Sequence, residues 1–124
     1  MLNTAKLEAF VGTADPEKAR HFYQTVLGLS MIADAPFALM FDANGTRLLV
    51  SKVDEVSPAP YTVLGWTVPD IASMTKALRK KGVVFERFPY FDQDDNDVWV
   101  APSGVRVAWF KDPDGNTLSV SQYA

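Results

Sequence analysis

The sequence predicts an α+β fold built from two tandem βαβββ modules, and three observations lead there. The chain repeats its own plan, with a first module over about residues 4–57 and a second over about 61–123. Each half carries one amphipathic segment of helical spacing that starts at an aspartate and stops at a glycine. Each half then ends in two strand-like runs joined by an Asn-Gly or Asp-Gly turn, a strong hairpin signal.

The elements follow in order. Leu7 to Val11 is apolar and strand-like, and Asp15-Pro16 supplies an N-cap followed by proline at the first helical position. The helix is expected from Pro16 to Leu27, with Ala19, Phe22, Tyr23, Val26 and Leu27 on one face and Gly28 at the stop. In the second half, Val63 to Val68 is the matching strand and Asp70 the matching cap. Ile71, Met74, Ala77 and Leu78 form the apolar stripe, which ends at Gly82. The run FDANGTRLLVS, residues 41–51, lies over KDPDGNTLSVS, residues 111–121. Pro58-Ala59-Pro60 reads as the linker. A half of about sixty residues buries too little surface to be comfortably stable by itself, so residues 1–124 are expected to form a single domain.

Composition narrows the function classes. The chain has 124 residues, 48% of them hydrophobic, which suffices for a core, and its formal charge of −3 carries no basic patch that would suit nucleic acid. With no cysteine, thiolate chemistry and disulfides are excluded. The N-terminal run lacks a signal-peptide pattern and no stretch reaches membrane-spanning length, so a soluble cytoplasmic protein is expected, without membrane or nucleic-acid partners.

Three motifs, TADPEKARHFYQTVLGL, VPDIASMTKALRKKGV and DPDGN, resemble the vicinal oxygen chelate superfamily, which includes glyoxalase I, bleomycin-resistance proteins and extradiol dioxygenases. The resemblance covers nearly the whole chain. It implies curved mixed sheets forming a cup, helices outside, a site within the cup and commonly a homodimer. The metal enzymes of the superfamily take four ligands from the first and last strands of the two modules. Carried over on Asp15, Gly45, Asp70 and Gly115, those positions are Ala9, Leu49, Leu64 and Ser119. Three are aliphatic and the fourth is a hydroxyl, a poor ligand beside imidazole or carboxylate. A one-residue shift adds only Glu8. The expectation is a site with no metal and no other cofactor, which argues against glyoxalase and dioxygenase chemistry.

Other constellations are weaker. The only histidine, His21, lies off the apolar stripe and is expected to face solvent. The acidic run from Asp92 to Asp97 has calcium-loop character, but Asp97 stands where an EF-hand needs glycine and Ser103 where it needs glutamate, so a solvated loop before a strand is expected. No nucleophile elbow or phosphate loop is present. Trp66, Trp99 and Trp109 fall in strands, where packing under the helices is the ordinary role. Strand alternation assigns Leu64 and Trp66, with Ala9, Val11, Arg47 and Leu49, to the cup, and Phe10, Leu48 and Val50 to the helix side. Pairing across the DPDG turn places Arg106, Ala108 and Phe110 opposite Ser119 and Thr117, to within one residue. The expected ligand site is therefore Arg47, Leu49, Leu64, Trp66, Arg106, Phe110 and Ser119. An apolar floor with arginines suits a flat anionic organic molecule, bound without conversion. The alternatives are a lyase or isomerase using Glu8 or another cup carboxylate, with no catalytic residue assigned, and an interaction scaffold.

Overall fold

The computed structural model describes residues 1–124, which divide into two compact units, Met1–Ser57 and Pro58–Ala124. The first unit holds a short 3-10 turn, β1 (Glu8–Thr13), α1 (Pro16–Arg20), β2 (Ser30–Asp34), β3 (Ala38–Ala43) and β4 (Thr46–Lys52). The second holds β5 (Leu64–Thr67), α2 (Ile71–Lys80), β6 (Trp99–Val100), β7 (Arg106–Lys111) and β8 (Thr117–Gln122). Both are βαβββ units with a four-stranded mixed sheet, ordered β1-β4-β3-β2 and β5-β8-β7-β6. In each, the first strand pairs parallel with the last and the remaining neighbours pair antiparallel.

The caps expected from sequence form in both units. Asp15 accepts from the Lys18 amide at 3.2 Å, and Asp70 accepts from the amide and hydroxyl of Ser73 at 3.2 and 2.9 Å. The Ser73 hydrogen bonds hold the Asp70 carboxyl below its ordinary value, as expected for an anion at a helix start. The first helix departs from expectation. It is α-helical only to Arg20 and continues as a π-helical segment, His21–Val26, where the Leu27 amide reaches back to the Phe22 carbonyl. In α2, Ala77 is exposed and Thr75 takes the buried place, its hydroxyl bonded to the Ala72 carbonyl.

Each sheet buries one face under its own helix. In the first unit Leu39, Phe41, Leu48, Val50 and Val11 are buried, and Tyr23 stands against Phe41 at 5.9 Å between ring centroids. In the second, Ala108, Phe110, Leu118 and Val120 are buried with Ile71 and Leu78 of α2, and the Ile71 amide donates to Gln122 of β8. No helix is long and apolar enough to cross a membrane.

Candidate functional site

The face of each sheet opposite its helix carries the functional candidates, and strand register decides which residues stand there. In the first unit Glu8 pairs with Arg47 and Phe10 with Leu49, while Ala9 pairs with buried Leu48 and Val11 with buried Val50. Neighbours across a ladder share a face. Arg47 and Leu49 thus stand on the face away from the helix, together with Glu8 and Phe10. Ala9 and Val11 lie on the helix side, the reverse of the expectation, and Phe10, 59% exposed, points the other way from the core. Alternation anchored on the carried-over positions set Ala9 in step with Leu49, whereas the parallel ladder pairs Ala9 with Leu48 and Phe10 with Leu49.

The same inversion affects the second unit. Leu64 pairs with Leu118 and Trp66 with Val120, so both lie on the α2 side. Phe110 pairs with Leu118, is 1% exposed and packs edge-on against Phe85. Arg106 pairs with Gln122 on that side too. None of these four lines the free face. Ser119 does, opposite Trp109 and next to Gly65, where an added Cβ would come within 2.7 Å of the Ser119 hydroxyl. For Leu64 and Trp66 the cause is the parallel register of β5 on β8, and for Arg106 and Phe110 it is the turn. Asp112 and Asn116 are bonded across a three-residue loop of Pro113, Asp114 and Gly115, with Gly115 at φ 87°. A two-residue loop, as Asn44-Gly45 makes in the first hairpin, would have put Ala108 opposite Ser119; an odd loop shifts every side chain to the other face.

The register brings Trp99, Val107, Trp109 and Lys111 to the free face of the second sheet. Phe91 stacks on Trp109 with centroids 5.2 Å and planes 8° apart, and on Trp99 at 4.3 Å. Phe88 meets Trp109 edge-on at 5.4 Å and stacks with Tyr90 at 5.5 Å. Beside this cluster opens a cleft of about 490 Å³ whose walls include Tyr61, Phe88, Tyr90, Phe91, Trp109 and Lys111. The Pro58-Ala59-Pro60 segment, expected as a linker, forms another wall. It is followed by the Thr62 hydroxyl, which accepts from the Trp109 indole at 3.1 Å, and by the Val63 amide, bonded to the Thr117 carbonyl. Lys111 supplies the cleft's cation and faces Glu86 at 3.6 Å. Sequence reasoning missed this cluster; the signal for it was the density of rings over residues 88–109 together with an odd hairpin loop.

The acidic run is also more than a solvated loop. Asp92, Asp94 and Asp95 are exposed, but Gln93 is buried and Asp97 binds two arginines, Arg79 of α2 at 2.9 Å and Arg87 at 2.6 Å. Partial burial pushes the Asp97 carboxyl up, yet hydrogen bonds from Arg79 and Arg87, reinforced by their charges, prevail and hold it below the ordinary value.

On the first unit, Lys6, Leu7, Glu8, Ile32, Asp42, Gly45 and Arg47 line a smaller pocket of about 340 Å³. There Glu8 lies 3.9 Å from Arg47. His21 is exposed. The donors available to a divalent ion are poor. Leu49 and Ser119 face away from the helices, Ala9 and Leu64 lie on the helix sides, and the one carboxylate that replaces them in register, Glu8, already faces Arg47. No three His, Cys, Asp or Glu side chains come together in the structure.

Comparison with known proteins agrees with this architecture. The family model described as the glyoxalase/bleomycin resistance protein/dioxygenase superfamily matches residues 6–120. Among solved structures, a glyoxalase/bleomycin resistance protein/dioxygenase from Alicyclobacillus acidocaldarius is similar with a TM-score of 0.75 and 22% identity, over 97% of this chain and 92% of that one. A glyoxalase family protein from Enterococcus faecalis gives a TM-score of 0.76 at 18% identity, covering 98% and 99%. A lactoylglutathione lyase from Agrobacterium tumefaciens gives 0.69 at 19%, covering 96% and 93%. No curated protein matches the chain in sequence. At these identities the structural likeness speaks for the fold alone, whereas the family match spans nearly all of the sequence. Fold, repeat and family match together make this chain a member of the glyoxalase/bleomycin resistance protein/dioxygenase superfamily.

Proposed function

We propose that the protein is a metal-free binding protein that holds a planar, anionic aromatic molecule in the cleft of its second module without converting it. The observation that carries this reading is the Phe91–Trp109 stack, with Lys111 on the wall of the same cleft. Ring faces give a flat ligand dispersion and quadrupole contacts, and an ammonium at the rim gives its anion a charge-assisted hydrogen bond. The volume of about 490 Å³ suits a small organic ligand. The donor set supports binding without conversion: Lys111 is the only charged residue on the cleft wall, with no carboxylate or imidazole on that wall.

A lyase or isomerase reaction through Glu8 has less support, because that carboxylate is half exposed and faces Arg47 as an ordinary surface ion pair does. Self-association as a dimer is carried over from the family resemblance, and light scattering at micromolar concentration tests it. Native mass spectrometry of freshly purified protein, followed by calorimetric titration with naphthoate, tests the ligand class. A co-purifying aromatic acid, or saturable one-to-one naphthoate binding, is expected. A co-purifying cationic or aliphatic molecule, with no naphthoate binding at millimolar concentration, would refute the proposal.

A further inference from the structure

The cleft's aromatic wall is carried by a stretch without helix or strand, residues 86–98, yet its rings stack with defined geometry. What orders it is a polar knot of Arg79, Arg87, Gln93 and Asp97 outside the cleft lining. Asp97 divides its two oxygens between Arg79, anchored on α2, and Arg87, one residue before Phe88. Arg79 also donates to the Asn96 carbonyl at 2.5 Å and lies over the Phe85 ring at 5.0 Å. Arg87 also donates to the carbonyls of Gln93 and Asp94. Buried Gln93 completes the knot: its side-chain oxygen accepts from the Phe88 amide at 2.7 Å, and its nitrogen donates to the carbonyls of Glu86 and Asp97. The arc from Phe88 to Phe91 is thereby closed at both ends. Asp97 adopts φ 64°, a left-handed conformation that costs a non-glycine residue energy and that aspartate and asparagine tolerate best.

We infer that Asp97 is a positioning residue for the ligand cleft, and that by bridging Arg79 and Arg87 it holds Phe88, Tyr90 and Phe91 in place as the wall against which an aromatic ligand stacks. This inference rests on the binding function proposed above for that cleft. Asp97 does not line the cleft itself, so its effect passes through Arg87 and Gln93 to the rings. A network that satisfies all its members specifies one arrangement, and releasing one member frees the rest.

The test uses the full chain with Asp97→Asn, Asp97→Gly and Arg87→Ala. Both replacements at position 97 suit the backbone conformation, and Arg87 is largely exposed, so folding is retained in at least one variant. Asparagine keeps one acceptor and glycine none. The expected order for naphthoate affinity is wild type, then Asp97→Asn, then Asp97→Gly, with the last weakened about tenfold and Arg87→Ala in between. Near-ultraviolet circular dichroism from the Phe91, Trp99 and Trp109 cluster should fall in the same order while the far-ultraviolet spectrum is unchanged. Near-ultraviolet signals equal to wild type in every folded variant would overturn the inference. A graded loss of that signal in a protein whose wild type binds no naphthoate would uphold the clamp and refute the ligand reading, so the two failures are distinguishable.

Discussion

Phe91 stacks on Trp109 across the free face of the second sheet, their ring centroids 5.2 Å apart and their planes 8° from parallel. Trp109 belongs to β7, whereas Phe91 belongs to an irregular segment, so the pair ties a loop to a rigid strand. Substituting Trp109 by Leu keeps an apolar side chain but removes the stacking plane and the hydrogen bond to Thr62. Naphthoate binding measured by calorimetry should weaken by about 1–3 kcal/mol, the range for loss of aromatic stacking on a planar ring. Unchanged affinity would place the ligand elsewhere.

Lys111→Met should separate charge from shape. The Lys111–Glu86 pair is more than half exposed on the lysine side, so its loss should change the melting temperature little. Anion affinity, by contrast, should fall by about 1.5–3 kcal/mol, as for a hydrogen bond to a charged group, and the salt dependence of binding should flatten. Titrations at two ionic strengths decide it.

Phe110→Ala should behave in the opposite way. Phe110 is 1% exposed and packed against Phe85 on the α2 side, so truncation leaves a cavity. Chemical denaturation should show a loss of about 3–5 kcal/mol. Affinity of the folded fraction for naphthoate should remain near that of wild type, because the side chain faces away from the cleft.

Acid should loosen the aromatic wall before it unfolds the chain. The Asp97 carboxyl is held below the ordinary aspartate value, so its stabilising effect is present above the unfolded-state pKa of about 3.9 and is lost as pH falls through its lower folded value. Near-ultraviolet circular dichroism should therefore be flat from pH 7 to about pH 5 and fall below about pH 4. In Asp97→Asn, this low-pH step should be missing. An identical step in that variant would assign it to other carboxylates.

Added zinc, nickel, manganese or iron should leave the melting temperature unchanged and should not be retained after desalting. Any ion bound to the native state must raise its stability by mass action. Differential scanning calorimetry and metal analysis check this, and a stoichiometric retained ion would show that a donor set exists beyond Glu8.

The repeat, the caps at Asp15 and Asp70, and the Asn44-Gly45 hairpin were all determined by sequence alone, because each depends on contacts within a few residues. Helical spacing likewise located Ala19, Phe22 and Tyr23 in the first core and Ile71 and Leu78 in the second. Which face each strand presents was a tertiary decision. Strand alternation has a period of two, so a single residue of register, set by the odd Pro113-Asp114-Gly115 loop and by parallel pairing to distant β1 and β5, exchanges the two faces. That exchange sent Leu64, Trp66 and Phe110 to the α2 side and brought Trp109 and Lys111 to the free face. The acidic run was legible as charge but not as structure, because Arg79 and Arg87 reach Asp97 from 18 and 10 residues away. Local chemistry writes elements and caps into the chain; only long-range pairing decides which side chains meet.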